Sequence, residues 1–149
     1  MKKLFSIVAV LFVFLSCQQE IKTSTPSFQA EKDNVFWRAK DAHVSYNSDG
    51  SITISAYSSY EIVTLTLPTA DPGTYTLGVN TDSYATYTYT LNGVTKHYET
   101  GENIGNGQVI IKPSTAPGTF TGTFRFNAED EDGEVINYNK GVFYQIPVF

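Results

Sequence analysis

The side chains with the chemistry to form a site are His43, His97, the acidic run Glu129-Asp130-Glu131-Asp132-Gly133-Glu134, the tyrosines Tyr87 and Tyr89, and a single cysteine, Cys17. The two histidines fall on separate predicted strands, with neither His-x-His nor His-Glu-x-x-His spacing, so no metal is expected between them. No Gly-x-Ser-x-Gly nucleophile elbow occurs, and no pair of groups is spaced for acid–base work. The chain therefore reads as a non-enzyme without a cofactor; a hydrolase with a site assembled from distant loops is the weaker alternative. The acidic run invites calcium, with Asp130 and Asp132 as candidate ligands, because hard cations want clustered carboxylates. An EF-hand alignment through Gly133 fails: it puts Ala128 at the first ligand position and Asn139 where the bidentate glutamate belongs. A solvated hairpin tip is the simpler expectation. Tyr87 and Tyr89, in TYTYTL, share one predicted strand face with Leu91. Exposed, they would offer flat faces and hydroxyls to a glycan or peptide; aromatic stripes at strand period more often pack.

Cys17 has a different chemistry. Lys2 and Lys3 precede an apolar run from Leu4 to Leu15, broken only by Ser6. Twelve residues suit the hydrophobic region of a signal peptide and fall short of the ~20 that a spanning helix needs. Phe14-Leu15-Ser16 then lead directly into Cys17, a sequence that resembles a bacterial lipobox. The resemblance implies cleavage after residue 16, lipid on Cys17, and a bacterial cell-envelope address at the outer membrane. Lipid chains on Cys17 would make the membrane itself a partner. Residues 17–26 read as a polar tether, and residues 27–149 as one domain. Nine residues, Gln18 to Pro26, reach at most about 30 Å. A lone cysteine forms no internal disulfide, so packing and hydrogen bonds must hold the domain. Loss of Lys2 and Lys3 takes the formal net charge from −5 to −7. That acidity argues against nucleic acid and against direct attraction to anionic lipid, and leaves a glycan or an envelope protein as the expected partner.

From Phe28 onward the pattern has the period of strands. Ile52, Ile54 and Ala56 share a face; so do Val63, Leu65 and Leu67, then Tyr75, Leu77 and Val79, then Phe124, Phe126 and Ala128. Asn92-Gly93 supplies the positive φ angles of a two-residue hairpin joining 84–91 to 94–100. Asn47-Ser48-Asp49-Gly50, Asp132-Gly133 and Asn139-Lys140-Gly141 read as further hairpin loops. The expected fold is all-β, an antiparallel β-sandwich or flattened barrel of about nine or ten strands. The stretch 68–76 is echoed 45 residues later at 113–121, each a proline-ended strand, a Pro-Gly turn and a Thr-aromatic strand.

Trp37 after Phe28-Gln29-Ala30, then DPGTYTL, GTFTGTFRFNAED and KGVF, together resemble a family of Bacteroidota lipoproteins catalogued as a domain of unknown function. The resemblance covers nearly the whole mature chain and implies a lipidated, all-β envelope protein. It brings no catalytic residues. The functional expectation is a cell-envelope lipoprotein that binds or scaffolds.

Overall fold

The computed structural model describes residues 26–149; the predicted signal peptide, Cys17 and the tether up to residue 25 lie outside the described residues. The alternating stretches become eleven strands: β1 (Ser27–Lys32), β2 (Val35–Arg38), β3 (Asp41–Tyr46), β4 (Ile52–Tyr57), β5 (Glu61–Leu67), β6 (Gly73–Leu77), β7 (Tyr84–Leu91), β8 (Val94–Glu99), β9 (Asn106–Lys112), β10 (Thr119–Glu129) and β11 (Val135–Pro147). No helix occurs among the described residues, so the all-β expectation holds. The count slightly exceeds the expected nine or ten. Asp33 and Asn34, at φ 48° and 66°, form a two-residue turn between β1 and β2 that sequence reasoning missed.

Neighbouring strands pair antiparallel in one curled sheet, ordered β2-β1-β11-β10-β8-β7-β5-β4-β3, with β9 and β6 branching from β10. The sheet has two halves. One runs β2-β1-β11-β10-β9-β6, the other β8-β7-β5-β4-β3. A single pair, Glu129 with Glu99, joins them along one seam. Along the other, Val44 bridges Val148, and the Phe149 amide donates to the Val44 carbonyl at 3.0 Å. The result is a curled antiparallel sheet, a half-barrel drawn together by this isolated bridge and closer to the flattened barrel than to the sandwich the sequence allowed.

Strand period explains what fills it. Ile52, Ile54, Ala56, Val63, Leu65 and Leu67 are fully buried on one half, facing Phe28, Phe124, Phe126, Tyr138 and Phe143 on the other. Each such large apolar side chain contributes about 1.5–3 kcal/mol on burial. Phe28 and Phe124 meet at a tilt with ring centres 4.6 Å apart, and Phe126 stacks on Tyr138 at 4.8 Å. Val79 departs from expectation: β6 ends at Leu77, Gly78 turns at φ 84°, and Val79 is exposed.

The Asn92-Gly93 hairpin forms as read, with Leu91 paired to Val94 and φ of 51° and 79°. Asn139-Lys140-Gly141 does not turn the chain. It lies inside β11, which stays paired to β1 and β10 on both sides. The positive φ of Lys140, 50°, is absorbed as a bulge instead. Phe124 pairs with Gly141 and Phe126 with Tyr138, leaving Arg125 opposite the extra residue. A Cβ on Gly141 would sit 2.5 Å from the Phe124 carbonyl oxygen, which explains a glycine beside the bulge. The echoed stretches are also unlike in space: 68–72 crosses from β5 to β6, whereas 113–118 closes the β9–β10 hairpin.

Candidate functional site

Tyr87 stands at an inward position of β7 and is only 4% exposed. Its hydroxyl donates to Glu61 Oε1 at 2.8 Å and accepts from Lys32 Nζ at 3.1 Å. Trp37 Nε1 donates to Glu61 Oε2 at 2.6 Å, and Lys32 pairs with Glu61 while its ammonium lies 5.0 Å from the Tyr87 ring centre. Burial pushes the Glu61 carboxyl upward, but the bonds from Lys32, Trp37 and Tyr87 and the lysine charge outweigh it and hold the group below its usual range. Burial and the Glu61 bond push the Tyr87 phenol upward. This network ties β1, β2, β5 and β7 together inside the barrel. Tyr89 is partly buried and packs against the core. The pair thus packs, and Tyr87 has no free face for a ligand.

The two histidines do not meet. His43 on β3 and His97 on β8 are separated by β4, β5 and β7, about 19 Å at the usual strand spacing. His43 stacks on Tyr57 at 5.4 Å, while His97 Nδ1 lies 3.0 Å from Thr88 Oγ1. His97 does line an open groove of about 660 Å³ with Lys96, Glu99, Glu129, Asp130 and Asp132. Within it, Asp130 Oδ1 accepts from the amides of Asp132 (3.1 Å) and Glu134 (2.7 Å), so this carboxylate closes its own turn. Among the described residues no three His, Cys, Asp or Glu side chains are grouped to hold a metal ion.

The outer face of the β9–β10–β11 half carries what the sequence reading overlooked. Asn106, Asn127 and Asn137 lie in register across these strands, and Asn139 follows on β11. Asn139 Nδ2 donates to Asn137 Oδ1 at 2.6 Å, Asn137 Nδ2 to Asn127 Oδ1 at 2.6 Å, and Asn127 Nδ2 to Asn106 Oδ1 at 3.0 Å. A carboxamide has two N–H donors and two acceptor lone pairs. Each inner member of the row spends one of each on its neighbours and presents the others outward. Asparagine is depleted in strands, so Asn127, Asn137 and Asn139 at alternate positions were the available signal.

Two residues along β10 on the same face is Arg125, exposed, its side chain without a hydrogen bond or ion pair among the described residues. A groove of about 330 Å³ runs beside it, lined by Gln108, Ile110, Thr123, Lys140 and Val142.

The sequence family described as "Domain of unknown function (DUF6252)" matches residues 24–147. No curated protein and no solved structure matches the chain.

Proposed function

The chain belongs to that family, whose description names no activity, and we propose from this premise that it is an outer-membrane-anchored lipoprotein whose barrel is a glycan-binding module. The observation that carries the reading is the asparagine row. Amides held in line by one another keep a donor and an acceptor each for a ligand, in fixed directions and at strand spacing, about 4.8 Å. That spacing is close to the length of one hexose unit along an extended chain. A ligand group meeting such a row loses little freedom from the protein side, because the amides are already ordered. This face takes the place of the tyrosine platform as the surface for glycan.

The anchor belongs to the sequence reading of Cys17. β1 enters at Ser27, beside Tyr144, and runs toward Lys32 and the turn at Asp33-Asn34. A lipidated tether would therefore hold the domain by the Ser27 side, with the Asn139 end of β11, which pairs with Glu31 near the far end of β1, standing farther off the membrane.

The test has two arms. Fractionation of Cys17→Ala should move the protein from the membrane to the soluble fraction; retention as firm as wild type would overturn the anchor. A glycan microarray probed with wild type and with Asn127→Ala/Asn137→Ala should show hits that the double variant loses. An unchanged hit pattern would overturn the asparagine row as the site.

A further inference from the structure

The groove beside the asparagine row differs in charge from the chain that carries it. In a protein of formal net charge −5, its lining includes two cations, Arg125 and Lys140, and no carboxylate. We infer that the glycan this face binds is acidic: a polymer of uronate-type sugars, with the carboxylate seated on Arg125. The inference rests on the glycan-binding reading above and adds the class of sugar.

Three features of the groove carry it. Arg125 projects from the middle of β10 and pairs in register with Gln108 of β9. Its guanidinium has no partner among the described residues, so its planar fork of donors remains available for the bidentate bonds that carboxylates accept. Lys140 Nζ is held 2.9 Å from Glu31 Oε1, so its charge is largely met by that carboxylate and Arg125 is the cation left for a ligand. The bulge explains the meeting of these cations. The register of β10 and β11 puts Arg125 opposite the extra residue, and the φ of 50° at Lys140 turns the backbone there. Bulges re-aim side chains in this way and are common beside sites.

The floor suits a sugar more than a free anion. Ile110 and Val142 flank the groove, giving a pyranose ring an apolar surface for its C–H face. Thr123 and Gln108 line the same groove and offer hydrogen bonds to ring hydroxyls. Asn127 lies two residues from Arg125 on β10, about 7 Å along the strand. A carboxylate on Arg125 and hydroxyls on the amide row can thus belong to successive units of one chain.

The experiment uses the full-length protein in detergent, with polygalacturonate and its methyl ester as probes. The two polymers share every sugar and differ in the carboxylate. Calorimetry at low salt should show binding of the acid form, weakened by added salt and by about ten- to hundredfold in Arg125→Gln, the range for removing a hydrogen-bonded charge. Arg125→Lys should recover part of the loss, since it restores charge without the fork. Unchanged melting of both variants keeps the comparison at the site. Equal binding of acid and ester, or full binding by Arg125→Gln, overturns the acidic class while leaving a glycan-binding face. Binding of neither polymer, with no glycan retained on the microarray, overturns both.

Discussion

Removing the carboxylate of Glu61 should unfasten the barrel at its inner polar network. In Glu61→Ala, Trp37 Nε1, the Tyr87 hydroxyl and Lys32 Nζ lose their shared acceptor. Trp37 and Tyr87 are 7% and 4% exposed, so water cannot readily take its place for them. An orphaned buried donor costs about 1–3 kcal/mol. The Lys32 side chain is 25% exposed and can swing toward solvent, so its share is discounted. The total comes to about 2–5 kcal/mol, a large part of a domain's usual 5–15 or so. That corresponds to a melting temperature lower by roughly 10–20 °C for a domain of this size. Tyr87→Phe, which keeps the ring and leaves Glu61 with two partners, should cost only about 1 kcal/mol. The pH dependence has a fixed sign. Glu61 is held below its ordinary value of 4.5 in the fold, so its stabilisation is complete above that value. It is lost as pH falls through the lower folded value, where the folded state must also take up the proton. Thermal melts followed by circular dichroism from about pH 7 down to about pH 3 would show wild type losing stability that Glu61→Ala already lacks. A variant within about 1 kcal/mol of wild type at neutral pH would refute the network as a fastening. So would an unchanged acid sensitivity.

Tyr138→Phe should be neutral or raise stability by up to about 1 kcal/mol, because the Tyr138 hydroxyl is buried without a partner among the described residues; a clear loss in a denaturant melt would show that the hydroxyl has an essential bond. Two glycine changes should differ in cause and in size. Gly122→Ala places a Cβ 2.0 Å from the Ile110 carbonyl oxygen and 2.3 Å from the Phe143 ring, and should cost more than about 3 kcal/mol. Gly93→Ala meets nothing within 4 Å and pays only for its φ of 79°, about 1 kcal/mol. Equal melting of the two variants would contradict this ordering.

The fold was legible where burial follows period two. Ile52, Ile54, Ala56, Val63, Leu65, Leu67, Phe124 and Phe126 all point inward as the alternation requires. The Asn92-Gly93 turn was equally plain, since few residue pairs tolerate two successive positive φ angles. Asn139-Lys140-Gly141 misled because composition reports a local backbone need, while pairing with β1 and β10 decides whether a turn or a bulge meets it. The network around Glu61 was hidden for a different reason. Lys32 and Trp37 sit on the β1–β2 hairpin and Glu61 and Tyr87 on the paired strands β5 and β7, and only the curl of the sheet brings the two pairs together. The asparagine row was written at alternate positions of β11, yet its continuation onto β10 and β9 depends on register, which a single strand does not contain.

Closing the barrel through Val44 and Val148 also governs how copies behave when crowded. A sheet with a long bare edge recruits strands from its neighbours and grows into aggregates. Here the β3 edge is engaged by Val148 and by the Phe149 amide. Among the described strands, β2 with four residues and β6 with five are short outer edges, and β8 is unpaired on its outer side apart from Glu99. On β2, Val35 and Phe36 are 68% and 66% exposed, which makes it the place where edge-to-edge association would begin. Lipid-anchored copies would meet in two dimensions, at far higher local concentration than in solution. Were the proposed anchor to confine copies in that way, a four-residue edge would be too short to template a lasting ladder between them.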